Sequence, residues 1–148
     1  MDVVEVTINS DGRPVPVSQF SEYFKFLRVC YILALEEVRF EMGEDGDIAV
    51  DTSVEHLASA IVHHASALSA ADFNRIIKQK LPTHEELYIQ DIMRRNPFEI
   101  VFLGIGVALT AALIISGGKF EFGLTKMKIE VPPLGDGIAK LKKALKQK

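Results

Sequence analysis

His63 and His64 are adjacent in the middle of an expected helix, and His56 lies two turns earlier. Imidazoles ligate zinc, but neighbouring residues on a helix point about 100° apart. A zinc pair needs i, i+4 spacing with a Glu or Cys close by. The trio is expected to be structural, with no metal. Cys30 is the single cysteine and falls on an apolar helical stripe, so it reads as a small core residue and not a nucleophile. It cannot form an internal disulfide, which fits a reducing compartment. Asp45-Gly46-Asp47 with Asp51 and Glu55 offers carboxylates in the manner of a calcium loop. The glycine, however, follows the first Asp instead of standing at the sixth position, so a solvated turn is the better reading. Gly104-x-Gly106 belongs to an apolar run and is no nucleotide loop, and a Gly-x-Ser-x-Gly elbow is absent. No catalytic residue, no cofactor and no enzyme activity is therefore expected.

The elements that carry these residues read as α+β. Val3 to Ile8 alternates and is β-branched, and Asn9-Ser-Asp-Gly12 ends it as a turn. Ser18 or Ser21 caps a long helix to about Met42. Its stripe is Phe20, Phe24, Leu27, Tyr31, Ala34, Val38 and Met42, widened by Tyr23, Phe26, Cys30 and Leu33. A short strand is expected at Ile48 to Val50. A cap at Asp51, Thr52 or Ser53 opens a helix through Val54, Leu57, Ala58, Ile61, Ala65 and Leu68. Ser69-Ala-Ala-Asp72 resembles a capping box before Phe73, Ile76, Ile77 and Leu81. Leu87 to Met93 is compatible with helix or strand.

From Ile100 to Gly118 there are 19 residues without a charge, bracketed by Glu99 and Lys119. About 20 residues at 1.5 Å rise cover a hydrocarbon core of roughly 30 Å. Ten of the 19 are Ile, Leu, Val or Phe, and at roughly −0.3 to −0.6 kcal/mol each they favour insertion by about 3–6 kcal/mol. The expectation is one transmembrane helix over 98–118, with a helix buried inside a soluble oligomer as the alternative. Gly104, Ala108, Ala112 and Ser116 recur every fourth residue as a small-residue ridge suited to helix pairing in lipid. Beyond the run, Phe120–Leu124 and Met127–Val131 read as a β-hairpin. Leu134, Ile138, Leu141 and Leu145 then form one face of a short amphipathic helix, with Lys140, Lys142, Lys143 and Lys146 elsewhere on it. Such a basic helix suits an anionic membrane surface.

Charge supports a membrane partner and not nucleic acid. Residues 1–98 hold 9 basic and 16 acidic residues, and 99–148 hold 8 basic and 4 acidic. The formal net charge of −3 lacks the basic footprint that nucleic acid requires. The first residues, acidic and without a long apolar core, do not read as a secretory signal. Within about 20 residues of the run each side carries three basic residues, so charge leaves its orientation tied. A cytoplasmic N-terminal part is the simpler route.

Asn96-Pro-Phe-Glu-Ile100, Ser116-Gly-Gly-Lys-Phe120 and Pro132-Pro-Leu-Gly-Asp-Gly-Ile138 resemble segments of small bacterial single-span membrane proteins of conflict and programmed-death systems. In some of these the N-terminal module is similar to the N-terminal α/β sandwich of the death-receptor adaptor TRADD. The resemblance implies a setting in bacterial defence and no catalytic residue.

The expected architecture is a helix-rich domain over 1–97 with one or two short strands, a transmembrane helix over 98–118, and a hairpin plus amphipathic helix over 119–148. The expected function is a membrane-anchored, non-enzymatic interaction or adaptor protein. Its partners would be the bilayer, further copies of itself and a protein bound at the N-terminal domain. The alternatives are a self-associating, pore-forming effector and a soluble oligomeric domain.

Overall fold

A computed structural model describes residues 2–9, 14–42, 50–94, 98–122 and 127–146. The chain runs β1 (Asp2–Ile8), α1 (Val17–Met42), α2 (Val50–Ala65), α3 (Ala70–Ile77), β2 (Tyr88–Arg94), β3 (Phe98–Gly104), α4 (Gly106–Ile115), β4 (Lys119–Phe122), β5 (Met127–Val131) and α5 (Leu134–Ala144). The α+β class is as expected. The strands form one sheet in the order β2-β3-β1-β5-β4, with β1 and β5 parallel and every other pair antiparallel.

β1 is central because it is apolar on alternate residues and flanked on both sides. Val4, Val6 and Ile8 are buried toward the helices, while Val3 on the opposite face is 42% exposed. Ile100, Phe102, Ile129 and Val131 extend that buried face into the neighbouring strands. Strands from all three expected segments thus share a single sheet and a single core. The helix layer packs on one face. α4 lies against β1 and β5 and is covered by α1, α2 and α5. α1 is buried almost all round from Phe26 to Leu35, with Phe24 meeting Phe102 edge to face at 6.1 Å between ring centroids. Each such large apolar side chain contributes about 1.5–3 kcal/mol by leaving water.

The expected transmembrane helix over 98–118 is corrected by this arrangement. Phe98–Gly104 is a strand paired with both β1 and β2, and only Gly106–Ile115 is helical. Asp2 accepts the Gly106 N–H at 2.9 Å, placing a carboxylate at the positive end of α4. The far end is a glycine reversal. Gly117 has φ +96°, its N–H reaches Ile114 O at 2.9 Å, and the Gly118 N–H reaches Leu113 O at 2.9 Å. This paired 5→2 and 6→1 bonding is the Schellman motif, which stops a helix and turns the chain. Among the described residues no helix is long and apolar enough to cross a membrane.

Other expectations hold. Leu134, Ile138, Leu141 and Leu145 are all buried along α5, and β4 pairs β5 as a hairpin. Ser69 and Asp72 cap α3 reciprocally, each bond 3.1 Å long. The segment left open at 87–93 is strand β2. Its pairing with β3 decides the matter, and a bulge falls between Ile89 and Asp91. The expected strand at 48–50 and the acidic loop from Asp45 fall largely outside the described residues, but Val50 begins α2.

Candidate functional site: a lysine-rimmed groove between α2, α4 and α5

Polar side chains in the interior mostly serve the fold. Arg28, half-buried within the apolar α1, donates to both oxygens of Glu86 at 3.2 and 3.0 Å and to Gln79 O at 2.7 Å. Glu86 also accepts the Leu87 N–H at 2.8 Å. One turn on, Tyr31 Oη donates to Glu85 O and accepts the Ile105 N–H at 2.9 Å. These bonds tie α1 to the loop before β2 and to the junction of β3 with α4. A cation on the buried stretch of α1 demands a partner, and Arg28, set between Leu27 and Val29, is the sequence feature that could have pointed to this network. Burial raises the Glu86 carboxyl, but the Arg28 guanidinium and the Leu87 N–H outweigh it and hold the group below its usual range. The ionised form is favoured on folding. Its stabilisation is therefore complete above the ordinary carboxylate pKa of about 4.3 and is lost as pH falls through the lower folded value. Urea unfolding of Glu86→Gln beside wild type should show a gap at pH 7 that closes on acidification. A gap independent of pH would remove this pair from the acid response.

The sequence-selected groups fall as follows. Cys30 is fully buried and its thiol is pushed up to about 12 by burial, which suppresses the thiolate a nucleophile needs. His64 pairs with the buried Glu37 across α1 and α2, and the His63 and His64 ring centroids stand 6.2 Å apart. Among the described residues no three His, Cys, Asp or Glu side chains gather as metal ligands. Gly104 closes β3, while Ala108, Ala112 and Ser116 are completely buried in this chain's own core. The small-residue ridge lets α4 lie close to α1. There, Ser116 Oγ meets Tyr23 Oη at 3.1 Å and donates to Leu113 O at 2.7 Å. Burial pushes the Tyr23 phenol up to about 12, so it stays a neutral donor. Thr110 is equally buried, and its hydroxyl has no hydrogen-bond partner among the described residues.

The four lysines divide. Lys142 pairs with Glu22 and stands 5.7 Å above the Phe26 ring, so it is occupied in bracing α5 on α1. Lys140, Lys143 and Lys146 are exposed. Lys140 and Lys143 form one wall of a groove of about 580 Å³ between α2, α4 and α5. Its remaining lining is Ala58, Ser59 and Val62 from α2, Ile114 and Ile115 from α4, and Ala144. No described acidic residue lines it. Lys140 Nζ lies against Gly117, just past the C-terminus of α4, where the helix dipole favours a cation. The lining comes from three distant stretches of sequence. The lysines were legible beforehand, and their apolar neighbours were not.

The edge strand β2 is another exposed apolar feature, with Ile89 and Ile92 each 47% exposed. Its bulge and the Asp91 carboxylate, which accepts the Ile92 N–H at 2.8 Å, blunt it against strand addition. No family model, no curated protein and no solved structure matches this chain.

Proposed function

We propose that the chain is a non-enzymatic interaction protein that works at an anionic membrane surface and seats there through α5. The carrying observation is the exposed set Lys140, Lys143 and Lys146 beside an apolar groove without described acidic lining. A lysine near an anionic leaflet contributes about 1 kcal/mol, and the attraction fades over a Debye length of roughly 8 Å at physiological salt. The likeness of 96–100, 116–120 and 132–138 to proteins of bacterial conflict systems supports a setting in defence, with a second protein recruited to the same surface. A pore-forming reading is favoured less, because α4 could enter a bilayer lengthwise only after α1, α2 and α5 had left it.

Sedimentation with vesicles tests the reading. Wild type should bind phosphatidylserine-containing vesicles and not phosphatidylcholine vesicles, and salt should weaken the binding. Replacing Lys140, Lys143 and Lys146 together by Gln should cost about 3 kcal/mol, roughly two orders of magnitude in partitioning. Equal binding to both vesicle types, or no response to the triple substitution, would sink it.

A further inference from the structure

We infer that the groove between α2, α4 and α5 holds one alkyl chain of an anionic amphiphile, with Lys140 and Lys143 on its headgroup. This rests on the membrane-surface reading and adds a defined chain site to it. Three observations favour such an occupant. The lining is aliphatic apart from Ser59 and the two lysines. A peptide laid there would bring N–H and C=O groups that need partners, and Ser59 alone could serve few of them. An alkyl chain brings none. Next, the groove's volume of about 580 Å³ falls within the roughly 300–1,000 Å³ of small-molecule sites. Last, both charged groups are cations on one wall, and no ion pair to a described carboxylate occupies either of them. An anionic head at the α5 wall with its chain along Val62, Ile114 and Ile115 satisfies both halves of the site. A second copy of this chain would offer the exposed Ile89 and Ile92 of edge strand β2, whose unpaired backbone N–H and C=O groups would meet the same aliphatic lining.

The test uses the full chain and octyl, decyl and dodecyl phosphate below their micelle concentrations, followed by calorimetry. Affinity should rise roughly fourfold per methylene buried, until the groove is filled. Alkyl maltosides of the same length should bind at least tenfold more weakly. Val62 is 40% exposed, so Val62→Glu leaves the core intact while placing a carboxylate among the lysines. It should weaken dodecyl phosphate at least tenfold with an unchanged thermal midpoint. Lys143→Gln should narrow the gap between phosphate and maltoside heads. The same affinity at every chain length, or no effect of Val62→Glu, overturns the chain site. If vesicle binding still depends on the lysines in that case, the chain site alone has failed. Chain-length dependence without any vesicle binding would instead support the groove and overturn the surface reading. Preference for an acidic amphipathic peptide over every alkyl phosphate would also overturn it.

Discussion

Replacing Tyr31 by Phe is expected to lower the unfolding free energy by about 2–3 kcal/mol, read as a shifted urea midpoint at constant slope. The ring of Tyr31 is completely buried and fills the same space in either residue. What disappears is one oxygen that serves two backbone groups, Glu85 O and the Ile105 N–H. A buried polar group left without a partner costs about 1–3 kcal/mol. Both groups sit at half-buried positions and can regain water in part, so the loss is that of two net hydrogen bonds of about 1–1.5 kcal/mol each. The phenol is held neutral by burial, partly opposed by the Ile105 N–H, so the loss should not vary between pH 5 and 8. Tyr23→Phe is the informative contrast. Its hydroxyl meets Ser116, which keeps its own bond to Leu113 O, so about 1 kcal/mol is expected. Equal losses at the two tyrosines would show that the second bond made by the Tyr31 oxygen adds nothing to stability.

Periodicity revealed the elements whose environment is one-sided. α5 has a four-leucine-type stripe and a polar remainder, so its buried face was readable residue by residue. α3 announced itself through Ser69 and Asp72, because a capping box is local chemistry. β1 alternates against solvent on one side, and β5 does so where Ile129 and Val131 are buried and Glu130 between them is exposed. The run from Ile100 to Gly118 was misread for the opposite reason. α4 is enclosed along most of its surface by the sheet, α1, α2 and α5, and a helix apolar all round looks the same in a protein core and in lipid. A length threshold adds up residues without asking whether one helix contains them. The punctuation was nevertheless present. Ile100-Val-Phe-Leu103 is β-branched and aromatic enough for a strand, Gly104 and Gly106 bracket the turn into α4, and Gly117-Gly118 closes it. The ambiguity at 87–93 could not have been resolved locally, since pairing with β3 is a contact made across the fold. The groove was illegible for the same reason: lysine positions are written in the sequence, but which helix lies beside them is not.

Gly118→Ala and Gly135→Ala should move stability in opposite directions, and together they test the break in the apolar run. A Cβ on Gly118 would stand 2.7 Å from Leu113 O and 2.9 Å from Ile129 Cγ2. Leu113 O is backbone and already accepts from the Gly118 N–H and from Ser116 Oγ, so it cannot yield without disturbing the end of α4. Either α4 moves away from β5 or the Schellman bonds lengthen. A loss of about 3 kcal/mol is expected, at the upper end of overpacking effects. Gly135 lies in the first turn of α5, where the nearest atom to an added Cβ is Gln19 Nε2 at 3.9 Å. Alanine fits there and narrows the unfolded ensemble, so a gain of about 0.4–1 kcal/mol is expected. At roughly 2–4 °C per kcal/mol for a chain of this size, thermal melts should separate the two variants by about 10 °C. In one continuous helix over 98–118, an alanine at position 118 would be harmless or favourable because alanine is the better helix former. A neutral Gly118→Ala would therefore restore that helix, while a large loss there beside a gain at Gly135 is the behaviour of a chain that turns back at Gly117 to enter β4.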